Sequence, residues 1–87
     1  MQYEYDPNKS AANKLKHGLD FDEAKALWDD DNALMLRVDR PGEERHIVIG
    51  HMFGTYWTAV ITFRGENIRI ISVRRARKEE VMLYEQG

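Results

Sequence analysis

The sequence predicts an α+β fold: two N-terminal helices packed on a four- to five-stranded antiparallel sheet, followed by a short C-terminal helix. Apolar residues recur at helical spacing as far as Trp28, alternate from Ala33 to Arg75, and give way to helix-favouring types at the C-terminal end. The joints between the alternating runs, "DRPGEE", "FGT" and "RGEN", carry turn residues and are short, which favours hairpins over crossovers. At 87 residues the chain can build one modest core, so one domain is expected over 1–87.

Tyr3 to Tyr5 suits a short strand. Asp6 is placed to cap a helix, Pro7 fits its first position, and Gly18 supplies its stop. On that helix Ala11, Ala12 and Leu15 form a narrow apolar stripe, while Lys9, Asn13 and Lys16 share a second, cationic face. In "DFDEAKALWDD", Asp20 and Glu23 have capping-box spacing, and Phe21, Ala24, Leu27 and Trp28 fall on one side. The expected helices therefore cover 7–17 and 21–28. Strands follow at "ALMLRV", "RHIVIGHM", "YWTAVITF" and "IRIISVRR". In the third of these, Trp57, Ala59, Ile61 and Phe63 should meet the helices, leaving Tyr56, Thr58, Val60 and Thr62 on the face fit for a polar ligand. Val81 and Tyr84, three apart in "RKEEVMLYE", indicate the closing helix.

There is no cysteine, which excludes disulfides, thiolate metal sites and cysteine nucleophiles. The first residues lack a basic and apolar leader pattern, and no run approaches a membrane span, so a cytoplasmic protein is expected, with no membrane partner. The formal net charge of −2 hides two poles. Asp20, Asp22, Glu23, Asp29, Asp30 and Asp31 face Lys25 alone in one stretch, and Arg64, Arg69, Arg74, Arg75, Arg77 and Lys78 face Glu66 alone in another. Such a chain can bind a polyanion at one end and remain acidic overall.

His46 and His51, five apart on one strand, should point to opposite faces unless Gly50 marks a bulge, which argues against a shared ion. His17 ends a helix, where an imidazole suits the dipole. No serine elbow, phosphate-cradling glycine loop or evident carboxylate pair is present. The arginines remain. A guanidinium donates bidentately to phosphate and keeps its proton, so this cluster suits a phosphodiester handled without metal or cofactor. The competing explanation is that these arginines pair with Glu79, Glu80 or the acidic helix.

The stretches "DPNKSAANKLKHGLDFDEA", "EERHIVIG" and "IRIISVRRARKEEVMLY" resemble, in this order, the BrnT family, toxins of type II toxin-antitoxin modules with a compact RelE-like ribonuclease fold. The matching positions are Lys9, Asn13, Lys16, His17, Gly18, Phe21, Arg45, Gly50, Arg69, Ser72, Arg74, Ala76, Glu80 and Tyr84, with Val73 where the family often has alanine. The resemblance implies an mRNA-cleaving, growth-inhibiting toxin. It implies too a BrnA-like antitoxin partner with a ribbon-helix-helix DNA-binding domain, through which alone the pair would reach operator DNA and repress its operon.

On this basis Arg74, His17, Lys16 and Tyr84 are the candidate catalytic residues. Arg45, Arg69, Arg75, Lys9 and Arg77 are the candidates for RNA binding. Strict alternation sends Arg69 and Arg74, five apart, to opposite faces, leaving Arg69 free to anchor an acidic residue instead. The alternative function is a non-catalytic RNA- or protein-binding module.

Overall fold

A computed structural model describes residues 2–87, the side chains of Arg40 and Glu43 excepted. The elements run β1 (Tyr3–Glu4), α1 (Pro7–His17), α2 (Phe21–Ala24), a 3₁₀ turn (Lys25–Asp29), β2 (Leu34–Arg40), β3 (Glu43–Met52), β4 (Thr55–Arg64), β5 (Asn67–Arg75) and α3 (Lys78–Gln86). The Asp6 carboxylate accepts the Asn8 N–H at 2.8 Å and opens α1, with Pro7 in the first turn, where a missing N–H costs nothing. Gly18 closes it at φ 82°, a left-handed conformation that favours glycine, and returns its N–H to the Lys14 carbonyl at 2.9 Å.

The second helix is shorter than expected. The Asp20–Glu23 capping box forms, with reciprocal bonds of 2.7 and 3.0 Å, but only one α-turn follows before the chain tightens into the 3₁₀ turn. Side chains three apart eclipse in 3₁₀ geometry, so Ala24 and Leu27, both fully buried, press on the sheet in one line. Leu27 packs tightly on Gly50, where an added Cβ would lie 2.7 Å from Leu27 Cδ1.

The sheet has the order β1-β5-β4-β3-β2. The four long strands form the expected meander, but β1 runs parallel to β5, pairing Tyr3 with Ile68 and Glu4 with Arg69, so the sheet is mixed and not antiparallel throughout. Hairpin joints fix the directions of consecutive strands only. β1 meets its neighbour from the far end of the chain, where no joint constrains it.

Trp57, Ala59 and Ile61 of β4 join Ile68, Ile70 and Val73 of β5 in the core beneath Leu19, Phe21, Ala24 and Leu27. Phe63 departs from the expected set: it is 42% exposed beyond the cover of the helices, edge-on to His46 with ring centroids 5.1 Å apart.

The packing of α1 reverses the expectation drawn from its apolar stripe. Ala11, Ala12 and Leu15 face solvent, Leu15 with 91% of its surface exposed, while Ser10 and Asn13 are buried. The cause is backbone polarity at the sheet's margin. β1 pairs with β5 at Ile68 and Arg69 only. Further along, the Asn13 side-chain amide takes the place of a strand, donating to the Val73 carbonyl at 2.9 Å and accepting its N–H at 3.3 Å, with a second donation to Leu19 O at 2.7 Å. Ser10 Oγ accepts the Phe21 N–H at 2.9 Å. Buried peptide groups require such partners, and α1 presents the face that supplies them.

β5 carries a second departure. Val60 pairs with Ser72 and Ile61 with Ile70, which leaves Ile71 as a bulged residue. The extra residue resets alternation, so Arg69, Ser72 and Arg74 all project to the face opposite the core. Among the described residues no helix is long and apolar enough to cross a membrane.

Candidate functional site

The second face of the sheet carries the candidate site. Cross-strand register lines up Val38 of β2 with Arg45 of β3, Ile47 with Val60 of β4, and Val60 with Ser72 of β5. These residues, with Arg74, Arg77 and Glu80, enclose a cavity of about 420 Å³ with an apolar floor of Val38, Ile47 and Val60 and a polar rim. The face named as fit for a polar ligand holds this pocket.

Glu80 organises the rim. It occupies the third position of α3, from which a glutamate can fold back to the N-cap backbone. It accepts the Arg77 N–H at 2.7 Å; Arg77, at the N-cap, has no acceptor with which to reciprocate. The Thr58 hydroxyl donates to Glu80 Oε1 at 3.0 Å, and Arg74 clasps both oxygens, Nη1 to Oε1 at 2.7 Å and Nη2 to Oε2 at 2.9 Å. Burial pushes the Glu80 carboxyl up, but the Arg74 fork, the Arg77 N–H and the Thr58 hydroxyl together outweigh it and hold the pKa at about 2. The Arg74 pKa moves up in return, chiefly through its hydrogen bond to Glu80 and against the effect of burial.

The basic residues named from the sequence are dispersed. Arg45, Arg74 and Arg77 meet around the pocket. Arg69 shares its face, contrary to simple alternation, but pairs with Glu4 on β1 at 3.4 Å. Arg75 lies on the core side of the sheet, its guanidinium 5.6 Å from the Trp57 ring centroid, because adjacent strand residues diverge. Lys9 and Lys16 are exposed on α1, and His17 is half-buried at its end; α1 contributes no residue to the pocket wall.

Tyr84 lies further along α3, away from the rim. Its hydroxyl donates to Asp30 Oδ2 at 2.8 Å, and its ring meets Tyr56, which in turn meets His51, at centroid distances of 5.5 and 5.1 Å. The bond to Asp30 raises the Tyr84 pKa, with desolvation adding to it. Asp30 also accepts the N–H groups of His51 at 2.8 Å and Asn32 at 2.9 Å, and these bonds with that of Tyr84 keep its carboxyl below its ordinary value although burial opposes them. β3 runs through Gly50 without a bulge, so His46 and His51 point to opposite faces.

The competing explanation, that the arginines pair with Glu80, holds for Arg74; sequence reasoning missed the apolar floor and the cap that Glu80 makes to the Arg77 N–H. The signal for Glu80 was present in Arg77-Lys78-Glu79-Glu80, where a glutamate follows the helix start by three residues. The floor left a weaker trace, since Val38, Ile47 and Val60 converge only through the register of three strands.

Among curated proteins none matches the chain. A family model described as "Ribonuclease toxin, BrnT, of type II toxin-antitoxin system" matches residues 5–80, which take in the whole pocket from Val38 to Glu80 and leave out β1 and Tyr84. A match over most of the sequence shows that the chain belongs to the BrnT family of ribonuclease toxins of type II toxin-antitoxin systems.

Proposed function

We propose that the chain cleaves RNA without a metal ion and that the pocket between β2–β5 and α3 receives the phosphodiester. The observation that carries this is the convergence of Arg45, Arg74 and Arg77 around Ser72 in a member of a ribonuclease-toxin family. In the reaction the ribose 2′-oxygen attacks the adjacent phosphorus, its proton passes to a base, the bond to the 5′-oxygen breaks, and that oxygen takes a proton from an acid. Charge accumulates on the phosphoryl oxygens in the transition state. Guanidinium groups fixed around it stabilise that charge, each worth about 10²–10³ in rate by analogy with other oxyanion sites. Arg45 and Arg77 bind the phosphate in this scheme, and Arg74 lends positive potential from its clasp with Glu80.

Proton transfer is proposed for His17 or Lys16, because imidazole as a class titrates nearest neutral pH and an ammonium is an adequate acid. Either role requires RNA to pass from the pocket around the β5 margin to the end of α1. Tyr84, held to Asp30 with its proton retained, fits a positioning role for α3 better than an acid role. The wider reading follows the family: a cytoplasmic toxin with a RelE-like arrangement, inhibited by a ribbon-helix-helix antitoxin of the BrnA type that carries the pair to operator DNA.

The test is cleavage of single-stranded RNA by the purified chain in EDTA. Arg45→Ala and Arg77→Ala should each lower the rate about 10²–10³-fold. Arg75→Ala, on the other face, should lower it less than about threefold, in line with an exposed position away from the pocket. Loss of cleavage on chelation, restored by a divalent ion, contradicts the metal-free scheme. RNA binding that weakens with salt but leaves the RNA intact supports the non-catalytic alternative.

A further inference from the structure

We propose that the outer edge of β2 is the docking site for the antitoxin, which adds an extended segment to the sheet there and sends acidic side chains toward the pocket arginines. This rests on the family's antitoxin partner and names the surface that receives it.

Other places where a β-ladder ends are occupied or short. Asn13 caps β5 at Val73, Asp30 accepts the N–H of β3 at His51 where β2 has not yet begun, and β1 is only two residues long. β2 is seven residues long and stands at the sheet's margin with β3 as its sole strand neighbour. Edge strands are usually blunted by charge, since their free peptide groups template further pairing. Here the charge is confined to the second half, where Arg37 pairs with Asp39 at 3.2 Å and Glu44 at 3.4 Å. The first half, Leu34-Met35-Leu36, is uncharged, and Met35 is 43% exposed.

Side-chain direction identifies the occupant. Leu34, Leu36 and Val38 share the pocket's face, and Val38 forms part of its wall directly opposite Arg45. A strand added to β2 lies about 4.8 Å further out, so its residue opposite Val38 stands roughly 10 Å from the Arg45 backbone, within the joint reach of an arginine and a carboxylate. Apolar residues on the incoming segment cover Leu34 and Leu36, and an acidic one meets the rim of Arg45, Arg74 and Arg77. A second copy of this chain is the poorer occupant, because its own β2 has no carboxylate on the face of Leu34, Leu36 and Val38 to meet that cationic rim. One contact thus both holds the partner and screens the pocket from RNA.

Hydrogen exchange on the chain alone and on its complex with the antitoxin encoded beside its gene tests this. Alternate amides between residues 34 and 39 should slow by at least about tenfold in the complex. By strand alternation, one of the N–H groups of Met35 and Leu36 faces β3 and the other faces outward. Of Met35→Pro and Leu36→Pro, the variant that keeps the parent's thermal unfolding and RNA cleavage should bind the antitoxin at least about tenfold more weakly. A stable complex with unchanged β2 exchange overturns the docking site alone. Protection that grows with concentration of the chain by itself makes a second copy the occupant and overturns it as well. If the neighbouring gene product forms no complex, the toxin-antitoxin reading fails together with the docking site.

Discussion

Arg74 and Glu80 are joined by two parallel hydrogen bonds of 2.7 and 2.9 Å across the start of α3, with the Glu80 residue only 8% exposed. The pair connects fold to site: it fastens α3 to β5 and sets the charge at the pocket rim. Arg74 was the leading catalytic candidate from sequence, yet its fork is already engaged by a carboxylate. In the proposed scheme it lends positive potential while holding Glu80, beside Arg45 and Arg77 at the same pocket.

The first prediction follows from the depressed Glu80 pKa. A carboxylate at about 2 in the fold and near 4.5 when unfolded favours the folded state above pH 4.5, and this contribution is lost as pH falls from about 4.5 to 2. The shift corresponds to about 3 kcal/mol. Urea unfolding between pH 6 and pH 2.5 should show this decline, and Glu80→Gln should flatten it. An identical slope in the variant would mean that Glu80 is not the group responsible.

A second prediction concerns Arg74 and Glu80 as separable partners. Glu80→Ala should cost about 2–4 kcal/mol, below the upper range for buried pairs because the Arg74 side chain is 23% exposed and gains water. The same change frees the fork, so RNA affinity should rise while stability falls. Affinity falling in step with stability would show that Glu80 mainly shapes the pocket.

Asn13 supplies a third. Asn13→Ala removes donors from the Leu19 and Val73 carbonyls and an acceptor from the Val73 N–H, for an expected loss of about 2–4 kcal/mol in chemical unfolding. Asn13→Asp should be no better, since an ionised carboxylate accepts from Val73 N–H but repels the two carbonyls. Recovery of full stability by aspartate would refute the strand-mimic role.

The fourth contrasts Gly50 with Leu15. Gly50→Ala places a Cβ 2.7 Å from Leu27 Cδ1 and should destabilise by about 1–3 kcal/mol, measured by the shift in unfolding midpoint. Leu15→Ser, at a side chain with 91% exposure, should stay within about 0.5 kcal/mol. A large cost at Leu15 would restore the buried stripe that its sequence spacing suggested.

The sequence by itself determined what is local and periodic. Asp6 with Pro7 and Gly18 bounded α1, Asp20 with Glu23 started α2, and alternation with short turns delivered the four-strand meander and the polar face that holds the pocket. These signals survive in a single chain segment because capping, turn chemistry and side-chain period act over a few residues. The family resemblance was legible in three stretches of the sequence, and the family match over 5–80 agrees with the family. Tertiary structure decided the rest. The unfilled peptide groups of Val73 chose the polar face of α1 over its apolar stripe, and the bulge at Ile71 placed Arg69 beside Arg74 on one face. The fold also brought Glu80 of α3 against Arg74 of β5 as an ion pair. Each of these depends on a partner distant in sequence or on one extra residue in a ladder, and periodicity within a segment carries no record of either.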